Sequence, residues 1–323
     1  MKPVASLSLD LDNQWSYMKT HGDAGWESFP SYLDVVVPRV LEFLSARGQK
    51  ITFFVVGQDA ALERNHAALA ALSAAGHEIG NHSFRHEPWL HLYSESEVDS
   101  EITRASEAIE AATGQRPSGF RGPGFSISDA VIRVLTRRGF RYDASTFPTF
   151  IGPLARWYYF TTSRLSREEL ETRRALFGAF QDGFRPNQPY CWDTGEGRLI
   201  EIPVTTMPGA RLPIHVSYLL YLGAVSPALA HAYFDTALAL CSMSGTAPSL
   251  LLHPLDFLDA RDVPELAFFP AMQLAAPRKL ELVGRALDAM AARFDIRPMG
   301  AHAASLGASL PVRPCRAGSG RAL

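Results

Sequence analysis

The 323-residue chain has only three cysteines, Cys191, Cys241 and Cys315. They lie far apart and form no Cys-x-x-Cys pair, so neither a disulfide framework nor a cysteine zinc site is expected. Charge of one sign is also missing: 31 Lys and Arg face 33 Asp and Glu, a formal net charge of -2. Without a global basic field, nucleic acid is not expected as a partner. No apolar run reaches the roughly 18 residues of a membrane span. The greasiest stretch, Leu212 to Cys241, is broken by His215, Pro227, His231 and Asp235. Met1-Lys2-Pro3 leads straight into Val4 to Leu9 with no leader-type apolar region or small-residue cleavage site, so no signal peptide is read and a cytoplasmic location is expected. Peripheral contact with the inner membrane face is compatible with that reading.

What is present is a rhythm. Short β-branched or apolar runs alternate with helical patterns: Val4 to Leu9, a helix through Tyr32 to Arg47, strand Ile51 to Val56, helix Asp59 to Ala75 and strand Glu78 to Gly80. Ser94 and Glu97 form a capping box before Val98 to Ala112, which ends at Gly114. Strand, helix and strand follow at Gly119 to Arg121, Ser128 to Arg138 and Phe140 to Tyr142. Gly76, Gly114 and Gly139 stand where helix C-caps stand. This alternation argues for an α/β fold with a parallel sheet, either a barrel or an open doubly wound sheet. The rhythm breaks at about 144–198, an insertion holding Trp157, Tyr158, Tyr159, a capped helix from Ser166, Tyr190 and Trp192. It resumes with strand Leu199 to Val204 and closes with strand Ser249 to Leu252, helix Arg278 to Arg293 and strand Asp295 to Arg297. Residues 1–300 are read as one catalytic domain. The Gly-, Ser-, Ala- and Arg-rich residues 301–323 are read as a disordered tail.

Several chemistry-bearing residues sit at the carboxyl ends of these strands, where parallel α/β folds carry their sites. Asp10-Leu11-Asp12 ends the first strand, and a period of two puts both carboxylates on one face; in isolation the pair has a second reading, as a cap or turn into Asn13. His82-Ser83-Phe84-Arg85-His86 spaces two imidazoles by four, so that a helical turn would turn both toward one metal. Arg121-Gly122-Pro123-Gly124-Phe125 holds a cation on a rigid turn. Tyr142-Asp143-Ala144-Ser145 and Leu251-Leu252-His253-Pro254 end two more strands with a carboxylate and a histidine.

In this order the five segments resemble the five motifs of the polysaccharide deacetylase family. The resemblance implies a distorted (β/α) barrel of seven or eight parallel strands with a lid-like insertion, and a mononuclear divalent metal, usually zinc. By position, Asp12, His82 and His86 resemble the metal ligands and Asp10 the general base. Arg121 resembles the residue orienting that base, His253 the general acid, and Asp143 the carboxylate that tunes His253. Two features depart from the pattern. Leu11 separates the two aspartates and Asn13-Gln14 follows them, which leaves the base and ligand roles of Asp10 and Asp12 exchangeable. The nearest aromatic after Asp143 is Phe147 where a tryptophan is usual.

The residue types suit amide hydrolysis, which needs an activated water, stabilisation of an oxyanion and a proton for the leaving amine. The implied substrate is an N-acetyl or N-formyl amino sugar, free, nucleotide-linked or lipid-linked. The segment Leu212 to Leu222 is either a core helix or a shelter for an acyl or prenyl chain. Two other classes share these features: an amidase acting on a non-sugar molecule, and a sugar-binding protein without turnover.

Overall fold

The computed structural model describes residues 2–152, 180–307 and 309–315. One sheet holds ten strands: β1 Val4–Leu11, β2 Thr52–Val55, β3 Glu78–Asn81, β4 Gly119–Phe120, β5 Tyr142–Asp143, β6 Tyr190–Asp193, β7 Arg198–Glu201, β8 Ser249–Leu252, β9 Asp295–Arg297 and β10 Val312–Pro314. Their order is β10-β6-β7-β5-β4-β3-β2-β1-β8, with β9 also paired to β1. From β7 through β5, β4, β3, β2 and β1 to β8 every pairing is parallel. β6 pairs antiparallel with β7, and β10 runs parallel to β6.

The circle is completed just beyond β7. Val204 N donates to Thr146 O and Thr205 N donates to Ser249 O, while Ser249 N donates to Thr205 Oγ1 at 2.8 Å. Seven parallel strands thereby close into a distorted barrel along a seam of very few bonds, in agreement with the fold that the motifs implied.

Alternation along β1 explains what faces where. Ala5, Leu7, Leu9 and Leu11 are buried among Val36, Val37 and Val40 of the helix Leu33–Ser45, in the main apolar core outside the barrel wall. Trimming one such leucine to alanine costs on the order of 2–5 kcal/mol. The other face carries Ser6, Ser8 and Asp10 inward, equally buried, and polar groups can sit there only because each finds a partner. Within the barrel a second cluster joins Phe54, Tyr142, Ala144, Ile202, Met299 and Ala303. The Tyr142 ring lies where a Cβ at Gly119 would stand, 2.0 Å away, so β4 admits only glycine there.

The expectation of a disordered tail from residue 301 does not hold over the described part. The helix Met299–Ser305 closes the amino-terminal mouth of the barrel: Met299 N donates to Thr52 Oγ1, Gly300 N to Glu78 Oε2, and His302 Nδ1 meets Ser6 Oγ at 3.0 Å. Burial of Met299, His302 and Ala303 outweighs the flexible composition, and residues 312–314 pair with β6. Trp157, Tyr158, Tyr159, the helix expected from Ser166 and residues 316–323 lie outside the described residues. Among the described residues no helix is long and apolar enough to cross a membrane.

Candidate metal and hydrolase site

The carboxyl ends of β1, β3, β4 and β8 meet at one mouth of the barrel. Asp12, just past β1, places Oδ1 2.9 Å from His86 Nε2 and 3.2 Å from His82 Nε2. One ligand atom from each of the three lies within 4.8 Å of the others, and all three residues are buried. The backbone there is not the helical turn that a spacing of four suggested. His82 continues β3 through its N–H to Val55 O, and Ser83 and His86 both adopt left-handed φ, 59° and 53°. A tight loop, not a helix, brings the rings together.

The donor set fits a divalent cation. His82 Nδ1 donates to the Arg121 carbonyl at 2.6 Å, which fixes its tautomer and leaves Nε2 with a lone pair toward Asp12. That Nε2 makes no hydrogen bond although it is buried, an arrangement that costs free energy unless something positive sits there. Protons take that part without an ion. Burial would raise the Asp12 carboxyl, but the charges of His86 and His82 and the hydrogen bond from His86 carry it well below the ordinary carboxylate range. Burial would lower His82, yet Asp10 and Asp12 hold it above the ordinary imidazole value.

Two residues before Asp12, Asp10 accepts from Arg121 Nη1 at 2.7 Å. Arg121 has no exposed surface and is held from all sides: it donates to Ser8 Oγ at 2.8 Å and to Ala144 O at 3.0 Å, and its guanidinium lies 4.5 Å from the Phe54 ring centroid. The turn after it needs Gly122, whose Cβ would meet Ser126 O at 2.0 Å. The cap that the aspartate pair could have supplied at this point of the chain comes from the next residue. Asn13 caps the helix Gln14–His21, so the two carboxylates are left to the site.

His253 lines two adjoining cavities. One, of about 180 Å³, also touches Asp12, Tyr17, Tyr221 and Met272. The other, of about 250 Å³, has Phe125, Phe147, Thr146 and Tyr218 on its walls. His215 lies between them with its ring centroid 5.9 Å from that of His253. Burial, then the proximity of His253 and Arg121, holds His215 well below the ordinary imidazole value, a neutral ring.

Asp143 is a correction. The motif order assigns it to His253, but its Oδ1 accepts from Ser145 Oγ at 2.6 Å and its charge neighbour is Glu201. Burial first, then Glu201, raises the Asp143 carboxyl well above the ordinary range. Glu201 accepts from Thr146 N, Thr146 Oγ1 and Trp192 Nε1. A neutral Asp143 supplies no charge to an imidazolium. The groups at His253 are instead Ser217 and Asp256, neither found from the sequence. A histidine and a serine breaking an apolar run, and a carboxylate three residues after His253, were the available signals. Tyr190 and Trp192 pack edge to face at 5.0 Å, and Trp192 is engaged by Glu201. The segment Leu212 to Leu222 enters the helix Val216–Val225, with Leu219 and Leu220 in the core and Tyr218 and Tyr221 toward the cavities.

Part of the chain is similar to known proteins. Residues 23–142 match the family described as polysaccharide deacetylase; Asp10, Asp12, Asp143 and His253 lie outside the matched segment. A peptidoglycan deacetylase of Helicobacter pylori is 29% identical over 149 residues, 44% of this chain and 49% of that protein. A peptidoglycan-N-acetylglucosamine deacetylase of Bacillus cereus is 29% identical over 103 residues, 32% of this chain and 36% of that protein. The chain thus spans half or less of the length of these relatives. A crystal structure of a polysaccharide deacetylase-like chain from Mycobacterium smegmatis superposes with a TM-score of 0.61 at 20% identity, covering 97% of this chain and 94% of the other, a likeness of fold.

Proposed function

We propose that this chain, which belongs to the polysaccharide deacetylase family, is a divalent-metal-dependent hydrolase that removes an N-acyl group from an amino sugar. The observation that carries the reading is the buried Asp12, His82 and His86 cluster with its unsatisfied His82 Nε2, set beside an arginine-held Asp10 and a cavity-lining His253. Asp12, His82 and His86 would hold the metal, with zinc suited to one carboxylate and two imidazoles. When bound there, a divalent cation polarises the acyl carbonyl and acidifies water.

The protein's own groups supply the proton traffic. Asp10, its second oxygen free of Arg121, takes the proton of the attacking water, and Arg121 keeps that carboxylate aimed. His253, protonated, gives a proton to the departing amine on the cavity side. Phe125, Phe147 and Tyr218 offer apolar faces that a sugar ring can pack against. The names of the two bacterial relatives support an N-acetylated amino sugar as substrate; nucleotide-linked and lipid-linked precursors belong in the same chemical class.

The test is incubation of metal-loaded protein with N-acetyl and N-formyl amino sugars as chitin and peptidoglycan fragments, nucleotide-linked and lipid-linked forms, followed by mass spectrometry for the freed amine. Turnover of at least one, abolished by chelation, is the expected result. Turnover of linear or cyclic non-sugar amides alone would make it an amidase, and metal binding with no turnover of any would make it a binding protein.

A further inference from the structure

The two ring nitrogens of His253 have different surroundings, and the difference fixes where its hydrogen sits. Nδ1 lies 3.2 Å from Ser217 Oγ. Ser217 has one hydroxyl proton, and it is directed to Asp256 Oδ1 at 2.9 Å. The serine oxygen is therefore left as an acceptor, and the Asp256 backbone N–H, which turns toward the ring as in a capping box, donates to His253 O at 3.0 Å, so Nδ1 is the nitrogen that donates. The other oxygen of Asp256 accepts from the His253 backbone N–H at 2.8 Å, which closes the His253-Pro254-Leu255-Asp256 turn on itself. The turn is clamped from below: the buried Lys279 ammonium, on the helix Ala276–Arg293, donates to Leu255 O and Leu258 O. Ser217 arrives from a third element, the first turn of the helix Val216–Val225.

We propose that Asp256 and Ser217 are the positioning pair of this site, holding His253 as the Nδ1–H tautomer so that Nε2 faces the cavity it shares with Asp12. The general-acid role this serves rests on the hydrolase reading; the tautomer does not. Other ionisable groups facing His253 are Asp12 and Tyr17 from the β1 side, His215 and Tyr221 around the helix Val216–Val225, Lys279 below, and Asp182 and Arg185 in the second cavity. Asp256 is set apart from them by reaching Nδ1 through a single hydroxyl. Asp143 takes no part, since its bonded partner is Ser145.

The experiment is long-range proton–nitrogen correlation NMR on the full chain labelled with nitrogen-15 histidine, at a pH where the imidazole is neutral. The His253 signal is identified by its loss in His253→Gln. The expected wild-type signature is a protonated, pyrrole-type Nδ1 and a pyridine-type Nε2. Ser217→Ala and Asp256→Asn should both shift the ring toward mixed or reversed tautomers, and Ser217→Thr should restore it. Asp143→Asn should leave the signature in place. If deacylation is also measured, Ser217→Ala should lower kcat on the order of 10- to 100-fold, as loss of an imidazole's supporting partner does, with KM nearly unchanged. A wild-type Nε2–H signature, or one that survives both Ser217→Ala and Asp256→Asn, overturns the proposal. The wild-type spectrum decides even if the variants fail to fold. Should the tautomer be as expected while no acylated sugar is turned over, the pairing stands and the hydrolase reading fails.

Discussion

Replacing Arg121 by methionine should unmask how much of the site's stability depends on one guanidinium. The change keeps most of the buried stem and removes three partners at once: the Asp10 carboxylate, Ser8 Oγ and the Ala144 carbonyl. Deleting one member of a buried ion pair typically costs about 3–5 kcal/mol, because the other charge is left without compensation. An aspartate has an escape, which is to take up a proton. For a carboxylate at the free-aspartate value of about 3.9, that costs roughly 4 kcal/mol at pH 7 and only about 1.5 kcal/mol at pH 5. The two other lost hydrogen bonds, donated by the guanidinium to uncharged acceptors, add about 1.5–3 kcal/mol each at either pH. Arg121→Met should therefore be destabilised at both, with a loss about 2–3 kcal/mol smaller at pH 5 than at pH 7. Urea unfolding of parent and variant, both in chelator so that the metal state is the same, measures this. Asp10→Asn added to Arg121→Met should erase the pH dependence, since an amide needs no counter-charge. A loss under about 1 kcal/mol at pH 7, or equal losses at the two pH values, would refute the reasoning.

The remaining predictions concern the metal and the carboxylates. His82→Ala and His86→Ala should each lose bound metal by elemental mass spectrometry, and full occupancy in either would place the site elsewhere. Asp10→Asn should keep the metal and lose turnover; if it loses the metal while Asp12→Asn retains it, the two aspartates have exchanged roles. Asp143, raised by burial beside Glu201, holds a proton that the unfolded chain releases. Its contribution to stability is thus full at low pH and declines as pH climbs above the ordinary carboxylate range. Asp143→Asn, which cannot ionise, should gain on the parent as pH rises through that interval in thermal unfolding, and a widening deficit would show that Asp143 is ionised.

How far the sequence could be read depended on the range of the interactions involved. β8 lies where the apolar run Ser249 to Leu252 puts it, because a buried strand is written in consecutive residues. The convergence of Asp12, His82 and His86 was legible because parallel strands deliver their carboxyl ends to one rim. The spacing of four between His82 and His86 misled as to conformation, since spacing alone does not tell a helix from a loop with left-handed residues. Asp143 was assigned the wrong partner because Glu201 meets it only through the pairing of β5 with β7. Residues 301–305 read as flexible from composition, and only the barrel's open lower mouth makes them part of a helix.

The sparse closure between the segment after β7 and β8 divides the molecule into two kinds of territory. Every residue proposed to touch metal, water or the departing amine comes from the arc β8-β1-β2-β3-β4, whose central strands are tied by four-residue registers. The stretch from 144 to 248, entered at β5 and left at the seam, supplies walls: Phe147, His215, Ser217, Tyr218 and Tyr221. Such a layout works like a tool with a fixed head and an exchangeable jaw. Grafting that stretch between barrels of this kind should carry over preference for one sugar or another while leaving the reacting atoms where they were, provided that the graft returns the hydroxyl at residue 217 and the contacts of residues 144 and 145 with Arg121 and Gly122.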